Sequence, residues 1–103
     1  MVGVGDHAEI NVRVAVTQND IEQGERHKSY ACPVARAIRR ALRKRGIGVV
    51  LVEVDYVDFA NEDGKWHCPF PDRIARWIER YDASEPVKPT WFNISMSEAT
   101  CAS

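Results

Sequence analysis

Apolar and polar positions alternate from Ile10 to Val16, with Ile10, Val12, Val14 and Val16 on one side and Asn11, Arg13 and Ala15 on the other. A period of two predicts a strand with one buried face. Thr17 and Asp20 then stand three apart, the spacing of a reciprocal helix cap, which predicts a short helix over about 17–24 that ends near Gly24. From Cys32 to Gly46 the period changes to that of a helix. Val34, Ala37, Ile38, Ala41 and Leu42 share one face, Pro33 occupies the first helical position and Gly46 marks the end. Residues 49–57 are strongly β-branched, apolar on both faces at the start and on one at the end, which predicts a central strand emerging towards solvent. Asn61-Glu62-Asp63-Gly64 reads as a turn, with residues 65–70 returning as the second arm of a hairpin. Ile74, Trp77, Ile78 and Tyr81 follow helical spacing after Pro71-Asp72, in a helix ending around Ala83-Ser84. Residues 87–95 form a last strand, which Pro89 places at a sheet edge.

This order, β-α-α-β-β-α-β, predicts an α+β protein. The expectation is one small two-layer domain over residues 1–103, with about four strands in one mostly antiparallel sheet and helices on one face. Residues 1–8 and 96–103 are expected to be flexible tails.

Composition narrows the class. A chain of 103 residues, 45% hydrophobic and 28% charged, can bury one modest core without metal or disulfide staples. No apolar run approaches the ~20 residues of a membrane span, and the start lacks a basic segment followed by an apolar one, so the expected location is the cytoplasm. Cys32, Cys68 and Cys101 are an odd number, which favours reduced thiols, with Cys101 in the tail.

Charge changes the picture more. Arg36, Arg39, Arg40 and Arg43 cover the polar face of the second helix, in a chain whose net charge is only −1. Such a face can hold phosphates, or it can pair internally with the acidic stretch Glu53, Asp55, Asp58, Glu62 and Asp63. Generic nucleic-acid binding is disfavoured by a pI near 6.3 and by the lack of interleaved aromatics on the helix. Trp66, beside the hairpin tip, is the candidate exposed anchor, whereas the spacing of Trp77 places it in the core. His27, Cys32, His67 and Cys68 are the one constellation that invites a zinc or thiol reading. Its spacing is poor, no third orienting group accompanies Cys32, and neither a metal nor a cofactor is expected.

Three segments, V-T-Q-N-D-I-E-Q-G-E-R, C-P-V-A-R-A-I-R-R and P-D-R-I-A-R-W-I-E-R-Y-D-A-S-E-P-V-K-P-T-W-F-N-I, occur in that order. Together they resemble a group of small proteins of bacteriophages, prophages and related bacterial genomes. That group reads V-T-x-x-x-I-x-x-G-x-R, C-P-V-A-x-A and F-D-x-G-x-P-V-x-P-x-x-F. The likeness spans residues 14–94 and departs at Tyr81 and Ser84, where the pattern has phenylalanine and glycine.

The resemblance implies a non-enzymatic phage-type accessory protein, in the cytoplasm of a bacterial host, that binds and blocks a host protein. Host defence machinery, including CRISPR effector complexes, is the expected target class, which makes an anti-CRISPR-like inhibitor the most specific expectation. The candidate contact residues are Arg36, Arg39, Arg40, Arg43, Asp58, Glu62, Asp63 and Trp66, and reversing Arg39 and Arg40 to glutamate is expected to weaken binding without disturbing the fold. Two alternatives stand beside it: a small nucleic-acid-binding regulator using the arginine helix, and a thiol or zinc-dependent enzyme at Cys32. A homodimer that sets the arginine helix against the acidic hairpin is also physically reasonable.

Overall fold

A computed structural model describes residues 9–62 and 64–97. Strand β1 (Glu9–Val16) leads into α1 (Gln18–Gln23), and α2 (Pro33–Leu42) continues as a single 3-10 turn, Arg43–Arg45. Strands β2 (Val49–Val52), β3 (Tyr56–Asn61) and β4 (Gly64–Pro69) follow, then α3 (Asp72–Asp82) and β5 (Thr90–Ser97). The class is α+β and the element order follows the expected one, with one strand more.

That strand comes from the β-branched run. Residues 49–57 do not make one strand: they fold back at Glu53-Val54-Asp55, so that Val52 faces Val57 and the Glu53 amide donates to the Tyr56 carbonyl. Two carboxylates flanking Val54 suit a solvated turn better than a ladder. Neither is the run buried on both faces, since Val50 and Val52 point inward while Leu51 is exposed.

The expected single sheet is two antiparallel sheets, a β1–β5 ribbon and a three-stranded β2-β3-β4 sheet in which β3, not β2, is central. The Asn61–Gly64 turn closes the β3–β4 hairpin as its residues foretold. Strand β5 runs past the expected end, with Met96 and Ser97 opposite Ile10 and Glu9. The remaining expected tail residues, 1–8 and 98–103, lie outside the described residues.

Helix α2 joins the sheets by packing across both β1 and β2. Val34, Ala37, Ile38 and Leu42 from its apolar face are buried with Val14, Val16, Val50, Phe59, Ile74 and Phe92. Phe70 meets Phe92 edge-on with centroids 5.4 Å apart, and the Cys68 thiol donates to the Ser95 carbonyl, so the sheets also touch at β4 and β5.

The helix ends explain the local sequence. Thr17 and Asp20 form the full capping box of α1. Gly24 closes that helix because a side chain there would collide with the Pro33 ring, its Cβ falling 2.6 Å from the proline Cδ. Gly46 adopts a left-handed φ of 74° after the 3-10 turn. Helix α3 ends in a Schellman motif: the Ser84 amide donates to the Tyr81 carbonyl and the Glu85 amide to that of Arg80. Ser84 itself has a φ of 64°, a left-handed conformation that favours glycine.

Candidate interaction surface

The arginines of α2 are not one solvated face. Asp20, fully buried at the start of α1, accepts two hydrogen bonds from Arg40, at 2.9 and 2.7 Å, and one from the Thr17 amide at 2.9 Å. The Arg36 guanidinium lies 3.6 Å from the same carboxylate, with its Nε buried and otherwise unbonded. Burial pushes the Asp20 carboxyl up, but the hydrogen bonds from Arg40 and Thr17, with the Arg40 charge, outweigh it and hold the group below the usual carboxylate range. Arg40 is held correspondingly above its ordinary value by the Asp20 hydrogen bond. Arg40 also donates to the Ala15 carbonyl, and Arg39 to that of Tyr30.

Three of the four expected contact arginines are therefore engaged inside the fold, and their chief acidic partner is Asp20, not the acidic hairpin. Reversing Arg39 and Arg40 cannot test a partner surface without disturbing the fold, because Arg40 neutralises a buried carboxylate. Arg43 is exposed, and with Lys44 and Arg45 it forms a cationic turn without a side-chain partner among the described residues. The Asn61 side chain donates to the Arg45 carbonyl, which sets this turn against the hairpin.

On the hairpin, Asp58 bonds the His67 ring across β3 and β4 at 2.6 Å, and His67 stacks obliquely on Tyr56. Partial burial, then the charges of Glu53, Asp58 and Asp55, push the Tyr56 phenol up. Glu62 is exposed and Asp63 lies outside the described residues.

Trp66 is not an exposed anchor. Only 7% accessible, it lies stacked on Phe59 with centroids 5.6 Å apart. Its place in β4 decides this: Gly64, Trp66 and Cys68 point inward, while Lys65 and His67 point out. The exposed tryptophan is Trp91, 44% accessible on the outer face of the ribbon. The Arg13 guanidinium sits 4.2 Å from its ring centroid and that of Arg73 sits 5.1 Å away. Arg73 is steadied by a hydrogen bond to Thr90 Oγ1. Alternation was the available signal, since Trp91 is in phase with Asn93 and Ser95, and Phe92 with Ile94.

The groups suited to catalysis are engaged structurally. Cys32 caps α2, its Sγ accepting the Ala35 amide at 3.4 Å. Burial, aided by the Asp82 charge, outweighs that bond and pushes the thiol up, the reverse of an activated nucleophile. His27 lines the same cavity of about 320 Å³ as Cys32, and its amide donates to Asp82. Cys32 and Cys68 are both free thiols, and burial also pushes the Cys68 thiol up. Among the described residues, no three His, Cys, Asp or Glu side chains converge as metal ligands, and no helix is long and apolar enough to cross a membrane.

No known protein family matches this chain, nor does any curated protein or solved structure. One arrangement open to other molecules is cationic and aromatic: Arg13 and Trp91 on the ribbon with Arg73 of α3 beside them, and Arg43 to Arg45 at the end of α2.

Proposed function

We propose that this protein is a non-enzymatic accessory protein of phage type that binds and blocks a protein of its bacterial host, a defence complex being the target class. The observation that carries the reading is Trp91, exposed between two guanidiniums that no described carboxylate neutralises. Tryptophan and arginine dominate the few interface positions that carry most of the binding energy. The resemblance to small phage proteins supplies the target class, and the structural employment of Asp20, of Cys32 and of Tyr81, whose hydroxyl donates to the Gly24 carbonyl, favours binding over chemistry.

A second reading, nucleic-acid binding, draws on the turn Arg43-Lys44-Arg45, whose side chains have no partner among the described residues. A tagged pull-down from bacterial lysate, with and without nuclease, separates the two. The blocking reading expects a protein partner that survives nuclease and is lost with the Trp91→Ala variant. Recovery that vanishes with nuclease, or a partner indifferent to Trp91, would overturn it. The nucleic-acid reading expects a log–log salt slope near −0.9 for each duplex phosphate contacted.

A further inference from the structure

Among the described residues strand β1 pairs with β5 alone, so half of its main-chain groups face away from the ribbon. The Ala15 carbonyl, bonded by the Arg40 side chain, marks that outward set, and residues two apart in a strand point the same way. Asn11 and Arg13 belong to it. Their amides and carbonyls have no partner beyond the ribbon among the described residues. An open strand edge is a template for another strand, and natural proteins ordinarily cover or blunt one.

The side chains beside this edge define what fits. Of the side chains described, Asn11, Arg13, Ala15, Trp91, Asn93 and Ser95 make the outer face of the ribbon and none is acidic, while Glu9 is the residue next in phase at the start of β1. Among the described residues the Arg13 guanidinium makes no hydrogen bond or ion pair, and it lies against the Trp91 ring. Stacking fixes both guanidiniums in place while leaving most of their N–H donors free, an arrangement prepared for carboxylates. Resting on the proposed protein-binding function, we infer that β1 adds an extended acidic segment of the partner protein as a new strand. Main-chain bonds to Asn11 and Arg13 hold that segment, and alternate carboxylates meet Arg13 and Arg73.

Two other occupants fit less well. Antiparallel pairing of β1 with β1 of a second copy, centred near Val12, brings the two Arg13 cations close together, which opposes it. Single-stranded nucleic acid needs a bare aromatic face on which to stack a base, and here the guanidiniums lie against Trp91.

The probe is a capped eight-residue peptide of alternating glutamate and threonine, tested on the whole protein by amide hydrogen exchange and the Trp91 indole resonance. In the free protein the Asn11 and Arg13 amides should exchange faster than those of Val12 and Val14. Peptide should slow them and shift the indole signal. The Arg13→Glu variant, or the same peptide with every backbone amide N-methylated, should bind at least about tenfold more weakly, the equivalent of 1.4 kcal/mol. The Arg73→Gln variant provides a second test should Arg13→Glu melt early.

Equal binding by the N-methylated peptide would overturn strand addition. So would tighter binding of an oligothymidylate, or protection of Asn11 and Arg13 by self-association in a sedimentation experiment. If lysate still yields a nuclease-resistant partner while the peptide leaves these amides unprotected, the edge is refuted and the blocking function stands. If no such partner exists, the function itself is refuted.

Discussion

Replacing Arg40 with methionine isolates the electrostatics of the buried pair, because methionine keeps much of the apolar stem and removes the guanidinium. Asp20 would remain fully buried, with the Thr17 amide and the more distant Arg36 as its partners. Breaking a buried pair from one side costs about 3–5 kcal/mol. Arg40 is 45% exposed, however, so solvent already screens its end of the pair, and exposed pairs contribute only about 0–1 kcal/mol. The expected loss lies between these limits, at about 2–3 kcal/mol. For a chain of this length that is a large share of a total stability of about 5–15 kcal/mol.

The pH dependence distinguishes this account from simple loss of packing. In the native protein the Asp20 carboxyl is depressed, so its contribution is present above the unfolded carboxylate pKa and disappears as pH falls through the lower folded value. Without Arg40, burial dominates, the folded value rises, and the variant gains nothing from ionising Asp20. The two proteins should differ most at pH 7 and less at pH 2.5, below the unfolded carboxylate pKa. Urea unfolding followed by tryptophan fluorescence measures both. A loss that is the same at the two pH values, or below about 0.5 kcal/mol at pH 7, would refute the reasoning, since coupled pairs ordinarily show 0.5–3 kcal/mol.

Ser84→Gly should raise stability by about 0.5–1 kcal/mol, because residue 84 holds a left-handed conformation at the end of α3, and a lower urea midpoint would contradict this. Gly24→Ala should lower stability by about 1–3 kcal/mol through overlap with the Pro33 ring, even though the backbone of Gly24 is ordinary there; a neutral effect in the same assay would show that the α1–α2 junction yields. Tyr81→Phe should cost about 0.5–1.5 kcal/mol, since it removes the 2.9 Å hydrogen bond to the Gly24 carbonyl, and unchanged thermal melting would argue against that bond. Cys32 and Cys68 should resist a thiol reagent at neutral pH until the protein unfolds, because burial raises both thiols, and prompt native-state labelling of either would refute this.

Local chemistry made much of the fold legible. Pro33 and Gly46 mark the two ends of the basic segment, Thr17 and Asp20 announce a capping box, and Asn61 to Gly64 announces a hairpin. The turn at Glu53-Val54-Asp55 was hidden because it carries neither glycine nor proline and sits in a β-branched run. Trp66 and Trp91 were separable in principle, for each lies in an alternating strand, but alternation had to be weighed above proximity to a hairpin tip. The Asp20–Arg40 pair could not be read in advance. It depends on α1 folding back onto α2, and twenty residues of sequence separation carry no mark of that contact.

Internal bonding decides which charges remain for a partner. Asp20 takes up Arg40 and part of Arg36, the Tyr30 carbonyl occupies Arg39, and Asp58 holds His67. The residues that looked most like a contact surface are thus largely committed to the fold. Among the exposed cations left without a described carboxylate, alongside Lys28, Lys65, Arg76 and Lys88, are Arg13, Arg73 and the turn Arg43 to Arg45, and of these Arg13 and Arg73 alone lie against an exposed tryptophan. With a net charge of −1, the whole protein exerts little long-range pull on an acidic target, so steering contributes modestly to encounter. Selectivity then has to arise at contact, from the fixed positions of two guanidiniums and an indole. That favours a partner matched in shape as well as in charge, and an affinity governed mainly by its dissociation rate.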